Sequence, residues 1–511
     1  MNKIKQFCIN QLPLLVILSC VSIYIFVHSY FFGYFISWDS THYLRAAQSI
    51  LNGNGMFTHP TWSHFYGDGY FAIWPIGYPL LIAFVAFLTG TEVYLASRIL
   101  AVLLVWAIGI SFAHYFGKRA WIFALVLLNV GFLRIFYFPW SETSYILMLI
   151  LLSFWTSDIL LAKTVRKRQY IKLTFAATFL FLSRYVGAFS IGIIGLLWLW
   201  NLYLHFTEKE ELAKKRTFYL TISGAFTGLF MLGYLLLNCH MTGFITGSPN
   251  HPREGFFYTL NMLYDASLIE VNNLFGHFFS ISNFALPLLL LAFLFVIYVP
   301  FRYKNALKNA QKELIIPLIF LLMGLFSWCA IVAMRFLSRF DPFNFRLLAP
   351  SSILFSIGLI GLILFCLKRE KEGPVRMYPV RQVLISLALG ALLFSSLMPI
   401  FQTENRSGYR EMHTEVVAMH AHIPDGAAVV WGNHYLLYLR EDLAFTFDLP
   451  MRLPAAMDVD GFFNYHADFS AIFLDVRGMH NHLDRTFPDN PEMQAFFRQF
   501  WYEENRFIQI R

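Results

Sequence analysis

The sequence predicts an all-α polytopic membrane protein with about 11 transmembrane helices, interfacial helices in the first outer loop and a small C-terminal extracytoplasmic α/β domain. Three observations lead to this fold class. Hydrophobic residues make up 57% of the 511 residues and charged residues only 14%, a composition typical of membrane proteins. Long apolar runs recur up to residue 400, and the chain turns polar beyond Pro399. The net charge of +8 therefore reports membrane orientation rather than nucleic-acid binding.

Eleven apolar runs account for the predicted spans. Ten have the roughly 17 to 25 residues that an α-helix needs to cross a bilayer; they lie near residues 11–34, 96–116, 120–138, 144–162, 187–206, 217–238, 281–300, 314–334, 349–367 and 380–400. A shorter run, 171–185, meets the run at 187–206 in SRYVG and counts as a span of its own. The first run lacks a small-residue cleavage site, so we expect it to remain as an uncleaved helix.

Basic loops set the predicted orientation. If PIGYPLLIAFVAFLTG (75–90) crossed the membrane, the loop KTVRKRQYIK (163–172) would lie outside, against the positive-inside rule. We therefore assign residues 75–90 to the outer leaflet. All fourteen lysines and the N-terminus then lie in the cytoplasm, and the C-terminal domain lies outside. The expected localisation is the cell inner (plasma) membrane, with the C-terminal domain extracytoplasmic or periplasmic.

The first long polar interruption, residues 35–95, begins FISWDSTHYLRAAQSILNGNGMF. Asp39 follows directly after an apolar span, where a charge is costly and usually has a function. The residues HYLRAAQSIL (42–51) carry apolar side chains at helical spacing, which predicts a short interfacial helix. The sequence NGNG (52–55) is expected to end that helix. A purely structural alternative remains open, in which Asp39 only caps the helix.

Residues 401–511 are polar, contain no lysine and are long enough for a small domain. AAVVWG (427–432) and AIFLDV (471–476) are typical of short buried strands, and HYLLYLRE (434–441) between them predicts a helix. The pattern indicates a small α/β domain.

Arginine is the only basic residue type predicted in the outer loops. These arginines are Arg45, Arg253, Arg335, Arg339 and Arg346, and Arg98, Arg134 and Arg184 lie near the outer ends of spans. A guanidinium group matches a phosphate bidentately and is less strongly hydrated than an ammonium group. Several outer arginines at the bilayer surface therefore indicate a phosphate-bearing lipid partner, although lysine bias alone would also fix the orientation.

The order of five stretches resembles the GT-C superfamily of integral-membrane glycosyltransferases, in the branch of the protein mannosyltransferases and the lipid A aminoarabinose transferases. The stretches are WDSTHYLRAAQSILNGNGMF, WPIGYPLLIAF, PWSETSYILML, LSRYVGAF and NFRLLAP. The resemblance implies that residues 1–400 form a GT-C-like transmembrane catalytic domain, with 35–95 as its outer catalytic loop. It also implies a polyprenyl-phosphate-linked sugar as donor and an active site on the extracytoplasmic face.

The resemblance matches three residues of this sequence to functional positions of the family. Asp39 matches the catalytic base of the first outer loop, Glu142 matches a second acidic position, and Arg346 loosely matches a late arginine. Some relatives have two adjacent acidic residues in the first loop, whereas this chain has Asp39 and Ser40. This departure argues against a strict protein mannosyltransferase and leaves the acceptor open among a glycan, a lipid and a protein.

Sugar transfer from a phosphodiester needs only one carboxylate, because phosphate leaves without being protonated, whereas a glycosidase needs a pair. We expect Asp39 to take the proton of an acceptor hydroxyl, with inversion at the anomeric carbon. Glu142 completes the predicted catalytic pair, unless it only opens its helix after Ser141. The candidates for binding the donor phosphate are Arg45, Arg184, Arg339 and Arg346.

Aromatic and histidine side chains complete the predicted site. The substrate pocket is assigned to His42, Tyr43, Trp74 and Tyr78. No cofactor and no metal site are assigned. A divalent cation held by His42, His59 and His64 with Asp68 and Glu142 stays open as an alternative.

Two other functions remain open at this point. A flippase or transporter of lipid-linked sugars would also combine many spans with outer arginines, but internal repeats or ionisable residues at span centres are typical of that class. An O-antigen ligase or polymerase would share the donor type, and the outer loop from Arg335 to Arg346 favours it. The early Asp39 loop favours the glycosyltransferase.

Overall fold

The structure is a computed structural model that describes residues 2–57, 69–247, 255–275, 285–305, 311–337, 343, 345–372, 407–440, 442–446, 458–467, 469, 471–487, 490–503 and 505–511. The predicted span at 380–400 lies outside these residues.

The described residues up to 372 are mainly helical. The α-helices are α1 (Asn2–Phe26), α2 (Trp38–Leu51), α3 (Gly77–Thr89), α4 (Val93–Phe116), α5 (Ala120–Ala124), α6 (Val130–Tyr137), α7 (Glu142–Leu161), α8 (Lys167–Ser183), α9 (Phe189–Glu208), α10 (Glu211–Thr242), α11 (Phe256–Phe275), α12 (Ala285–Arg302), α13 (Lys312–Leu337) and α14 (Phe345–Glu372). A π-helical stretch, Val27–Gly33, continues α1, and 3-10 turns lie at Gly117–Arg119, Leu125–Leu128 and Tyr185–Ala188.

Seven helical segments of the described residues are long and apolar enough to cross a membrane: Asn10–Gly33, Val93–Leu128, Glu142–Leu161, Tyr185–Thr207, Glu211–Thr242, Lys312–Leu337 and Arg346–Lys368. The chain is therefore a multi-pass membrane protein. Helix α3 has only 13 residues, about 20 Å at 1.5 Å per residue, which is short of a hydrocarbon core of about 30 Å. This length agrees with its predicted place in one leaflet.

Two helical regions differ from the sequence prediction. Residues 120–138, expected as one span, form α5, a 3-10 turn and α6, because Asn129 has an extended backbone (φ −61°, ψ 141°) that interrupts the helix. Helix α11 falls within a stretch for which the sequence predicts an outer loop.

A small sheet follows the helices, as the sequence predicts. Strands β1 (Ala428–Val430), β2 (Ala444–Thr446), β3 (Ile472–Asp475) and β4 (Phe507–Gln509) are ordered β2-β1-β3-β4. β1 pairs in parallel with β2 and β3, and β4 pairs antiparallel with β3. Helices α15 (Ser407–Met419), α16 (His434–Leu439), α17 (Val459–Tyr465), α18 (Val476–Thr486) and α19 (Pro491–Arg498) surround it. Its core includes Trp431, Phe462 and Phe497.

A buried arginine fixes the segment that leads to the candidate site. Arg98 on α4 is fully buried, and its Nη1 donates to the carbonyl oxygens of Phe136 (3.0 Å) and Tyr137. These carbonyls belong to the last turn of α6, where no intrahelical donor is available. Arg98 therefore ties α4 to the end of α6, three residues before Trp140.

Helix α3 contacts α8 through Gly77. A Cβ at this position would lie 2.6 Å from the carbonyl oxygen of Leu182, closer than real Cβ contacts, so the two backbones meet only because the residue is glycine. The contact is next to Arg184 in sequence and helps to set where α8 ends.

We predict that Gly77→Ala lowers the apparent unfolding temperature of the purified protein in detergent, because the added methyl forces α3 away from α8 at a cost of about 1 to 3 kcal/mol. The matched control is Gly192→Ala on α9, where an added Cβ would meet nothing within 4 Å. The control should unfold at the wild-type temperature or slightly above it. Equal unfolding temperatures for the two variants would contradict the close contact.

Candidate active site

Four charged side chains from distant parts of the chain meet at one end of the helices. Asp39 lies on α2, Glu142 on α7, Arg184 directly after α8 and Arg346 on α14. Arg346 donates from Nη2 to Asp39 Oδ2 and from Nε to Glu142 Oε1, and Arg184 Nη1 pairs with the same oxygen of Glu142. The result is a chain of alternating charge, Asp39–Arg346–Glu142–Arg184, which we call the acid–arginine cluster.

Helix ends position both carboxylates. Asp39 lies in the first turn of α2, whose N-cap Ser37 accepts the N–H of Ser40 at 3.3 Å. Glu142 is the first residue of α7. The unsatisfied N–H groups and the dipole at a helix N-terminus favour negative charge there. Each carboxylate is therefore stabilised by its own helix as well as by Arg346.

An indole ring holds the shared guanidinium. Arg346 Cζ lies 4.5 Å from the centroid of the Trp140 ring, within cation–π range. Trp140 Nε1 donates to Ser37 Oγ at 2.7 Å, so the cap of α2 also fixes the indole. Phe138 stacks on Trp140 with centroids 4.3 Å apart. The guanidinium is thereby positioned by its stacking contact as well as by its two ion pairs.

Exposure separates the roles of the two acids. The side chain of Glu142 is 0% exposed, whereas that of Asp39 is 20% exposed, and Arg346 (16%) and Arg184 (21%) are also partly accessible. A ligand can therefore reach Asp39 and the two arginines but not Glu142. Glu142 pairs with both guanidinium groups, and Asp39 keeps an accessible carboxylate.

Hydroxyl groups surround the buried carboxylate. The Ser141 and Tyr43 hydroxyls share a hydrogen bond of 2.9 Å, and Ser141 Oγ donates to Glu142 Oε2 at 3.5 Å. Ser144 on α7 donates to Ser183 on α8 at 3.1 Å. This last bond joins the helix that carries Glu142 to the one that ends before Arg184.

The four residues predicted as the substrate pocket lie together. His42 stacks on Trp74 at 4.8 Å, and Tyr43 meets the rings of Trp74 and Tyr78 edge to face. Tyr43 and Tyr78 are 1% and 0% exposed, so they form an aromatic wall behind the cluster. Burial, and next Arg45, hold the pKa of His42 well below its usual value. Burial, followed by Asp39 and Glu142, raises the pKa of Tyr43, so both groups are neutral at pH 7.

Two predicted phosphate-binding arginines are not part of the cluster as described. Arg45 is buried beside His42. It follows Asp39 by six positions, which turns it about 120° away around α2. Arg339 lies outside the described residues. Both remain predictions.

The alternative cation site cannot be assembled from the described ranges. His59, His64 and Asp68 lie outside them, and within them no group of three or more His, Cys, Asp and Glu residues is suited to hold a metal. Asp39 and Glu142 instead direct their oxygens to arginines.

The C-terminal residues pack against the first turn of α2. Thr41 Oγ1 donates to the carbonyl oxygen of His434 at 3.1 Å, and the Tyr435 hydroxyl donates to the carbonyl oxygen of Tyr34 at 2.9 Å. The ring of His413 stacks on Tyr34 with centroids 3.9 Å apart. Burial, and next Arg506, lower the pKa of His434 to about 4, so it is neutral here. The C-terminal part therefore contacts Thr41, which is two positions after Asp39 in the sequence.

Sequence reasoning missed two features of this site. Trp140 was not among the predicted site residues, although its position two residues before Glu142 was a usable signal for a role at the cluster. It also predicted the strands and the helix around His434 without their contact to Thr41, because the 393 residues between the two partners leave no local pattern to detect.

The fold is similar to those of two kinds of membrane glycosyltransferase. The archaeal oligosaccharyltransferase AglB from Archaeoglobus fulgidus, in complex with an inhibitory peptide and a dolichol-phosphate, matches with a TM-score of 0.56 at 12% identity, over 97% of this chain and 71% of that one. The apo form of the A. fulgidus enzyme matches with a TM-score of 0.58 at 13% identity, over 94% and 72%. ArnT from Cupriavidus metallidurans bound to undecaprenyl phosphate matches with a TM-score of 0.51 at 14% identity, over 91% and 94%.

These structural neighbours belong to the GT-C superfamily. The chain therefore has the GT-C fold, and the resemblance noted from its motifs is confirmed at the level of fold. No protein-family model and no curated protein sequence matches the chain. A further A. fulgidus structure is a complex with Zn and sulfate.

We predict that Glu142→Gln destabilises the protein by about 3 to 5 kcal/mol, because it leaves two guanidinium groups in a buried site with one carboxylate. The double variant Glu142→Gln/Arg184→Gln restores charge balance and should recover part of that loss. A double-mutant cycle on the unfolding midpoint measures the coupling. If the two effects on stability simply add, so that the double variant is less stable than Glu142→Gln by the full effect of Arg184→Gln alone, the ion pair is contradicted.

Proposed function

We propose that this protein is a glycosyltransferase that moves a sugar from a polyprenyl-phosphate donor to an acceptor hydroxyl, on the extracytoplasmic face of the inner membrane. The observation that carries the proposal is the acid–arginine cluster, in which an accessible carboxylate shares a guanidinium group with a buried one. The GT-C fold supports it, since the AglB and ArnT structures contain a dolichol-phosphate and an undecaprenyl phosphate.

Asp39 is the proposed catalytic base. It takes the proton of the acceptor hydroxyl while that oxygen attacks the anomeric carbon from the face opposite the phosphate. The bond between the anomeric carbon and the phosphate oxygen breaks, and the phosphate leaves with the electron pair, so the anomeric centre inverts. Partial exposure of the Asp39 side chain, at 20%, fits contact with a substrate.

Arg346 and Arg184 are the proposed phosphate ligands. Both are partly accessible and both are anchored on Glu142. Fixed positive charges aimed at the leaving group stabilise the negative charge that grows on it in the transition state. A planar guanidinium group can offer two parallel N–H donors to a phosphate, and the stacking of Arg346 on Trp140 would hold that plane before the donor arrives.

Glu142 is a positioning residue in this proposal. Its side chain is buried, and it would keep the two arginines in place when the donor phosphate draws Arg346 away from Asp39. Donor binding would then release Asp39 from its ion pair and make its oxygens available to the acceptor. The base would become active only when a donor is present, which protects the site against unproductive proton transfer.

The acceptor side of the site involves the C-terminal residues. Because α16 contacts the first turn of α2, close to Asp39, we assign the C-terminal domain, residues 401–511, to acceptor selection. One neighbour structure contains an inhibitory peptide. In this chain the acceptor class stays open among a glycan, a lipid and a protein. No step is assigned to a metal ion, because both carboxylates are engaged by arginines.

We predict that Asp39→Asn reduces sugar transfer by about 10² to 10⁴-fold, the range for removing a general base. A strain that lacks this gene should be complemented with the variant or the wild type, and its surface glycans, lipids and proteins compared by mass spectrometry. The variant should reach wild-type levels in the membrane and still bind undecaprenyl phosphate. It should not restore the sugar that the strain lacking the gene has lost from its surface molecules.

The matched control for Asp39→Asn is Glu92→Gln. Glu92 is an exposed acid that caps α4 and accepts the Tyr438 hydroxyl at 2.8 Å, and a glutamine can accept the same bond. This control should restore the sugar. Restoration by Asp39→Asn would remove Asp39 from the role of base.

We predict that Arg346→Lys weakens binding of undecaprenyl phosphate by about 10 to 100-fold, because lysine keeps the charge but loses the two-pronged geometry. Arg302→Lys, at the last residue of α12, serves as the control and should bind undecaprenyl phosphate like the wild type. Titration of the purified proteins in detergent by calorimetry gives both dissociation constants. Equal constants would exclude Arg346 as a phosphate ligand.

A further inference from the structure

A charged cavity lies between α4, α13 and α14, at the end of these helices opposite to the acid–arginine cluster. Its volume is about 350 Å³. Lys118 and Arg119 line it from the 3-10 turn after α4, Lys312 lines it from the first turn of α13, and Lys368 lines it from α14. None of these residues takes part in the proposed sugar transfer, so the cavity needs its own explanation. We call it the basic cavity.

Positive charge dominates the basic cavity. Four basic side chains line it against a single acid, Glu313, which leaves a formal excess of three positive charges. Lys368 Nζ pairs with Glu313 at 2.7 Å, while the structure, in the residues it describes, gives Lys118 and Arg119 no carboxylate partner. Lys312 Nζ lies 5.4 Å from the ring centroid of Tyr115. Like charges gathered around a cavity repel one another, and an anion placed among them would remove that repulsion.

The inner wall of the same cavity is apolar. Phe116, Phe123 and Pro317 line it, and Phe116 and Phe123 stack with centroids 3.6 Å apart. Helices α13 and α14 come close at this wall because residue 361 is glycine: a Cβ there would lie 2.5 Å from Pro317 Cγ. A basic rim over an aromatic wall fits an amphiphile with an anionic head, as Lys and Arg surround head groups between membrane helices.

The position of the basic cavity fits the head-group level of the leaflet opposite to the acid–arginine cluster. Arg346 and Lys368 bound one apolar segment of α14 of 23 residues, which is about 34 Å long at 1.5 Å per residue. This length matches the hydrocarbon core of a bilayer, about 30 Å. With Arg346 at one surface, Lys368 and the basic cavity reach the opposite surface, which the positive-inside rule makes the cytoplasmic one.

We propose that the basic cavity binds the phosphate group of an anionic ligand at the membrane surface opposite to the acid–arginine cluster. Lys118, Arg119 and Lys312 hold the phosphate, and the rings of Phe116 and Phe123 lie below it. An anionic phospholipid head group and free inorganic phosphate share this chemistry. Bound there, the phosphate bridges the turn after α4 to the start of α13. This site is independent of the sugar donor and does not rest on the proposed function.

The test uses the full-length protein in detergent and the variant Lys118→Gln/Arg119→Gln. Both side chains are exposed, so the substitutions disturb no packing. Phosphatidylglycerol, phosphatidylcholine or inorganic phosphate is added, and bound ligand is counted by native mass spectrometry beside the unfolding temperature. We expect wild-type protein to bind phosphatidylglycerol and to unfold at a higher temperature with it. Each basic residue near a charged surface contributes about 1 kcal/mol, so the variant should bind about 30-fold more weakly.

The matched control is Lys214→Gln/Lys215→Gln on α10, two exposed lysines of another predicted cytoplasmic segment. It should bind phosphatidylglycerol like the wild type. If inorganic phosphate alone raises the unfolding temperature of the wild type but not that of the cavity variant, the site binds free phosphate. A shift only with phosphatidylglycerol would assign it to a lipid. Equal binding by wild type, cavity variant and control, or equal binding of phosphatidylcholine, would overturn the proposal.

Discussion

Arg346 is the side chain on which the arrangement of the site depends. One guanidinium group donates to Asp39 and to Glu142, whose sequence positions are 307 and 204 residues away. Both bonds can form only if the ends of α2, α7 and α14 lie within the reach of a single side chain. Arg98 ties α4 to the end of α6, shortly before α7, and Gly77 brings α3 against α8, shortly before Arg184. Packing across the helices thus converges on one charged group.

Charge balance makes such a cluster tolerable near a membrane. Two carboxylates and two guanidinium groups alternate, so each charge that loses water meets an opposite one. In the proposed mechanism the balance also couples binding to catalysis: a donor phosphate would compete with Asp39 for Arg346, while the buried Glu142 would keep its ion pairs with both arginines. The difference in exposure between the two acids, 20% and 0%, is what allows one to be displaced and the other to stay.

The sequence predicted those parts of the molecule that leave a local or compositional trace. Apolar runs marked the helices, the positive-inside rule placed residues 75–90 in the outer leaflet, and short apolar runs marked β1 and β3. Asp39, Arg184 and Arg346 were singled out by residue type and place, and Glu142 by the resemblance of its motif to the family. Their pairing was not predicted, because it depends on tertiary packing. The break at Asn129 and helix α11 were missed because apolar content alone does not report backbone conformation or every amphipathic helix.

The two ends of α14 use different cations for a physical reason. At the end of the acid–arginine cluster, Arg346 is held in one plane by stacking on Trp140, and a guanidinium group fixed in this way suits the proposed phosphate contact. At the other end, three lysines and Arg119 line the basic cavity. The proposed phosphate site there needs charge and reach more than a fixed plane, and a flexible ammonium group supplies both. The segregation of lysine in the sequence therefore has two causes. In the predicted topology it sets the orientation of the chain, and it leaves the proposed catalytic surface to the cation whose geometry can be fixed.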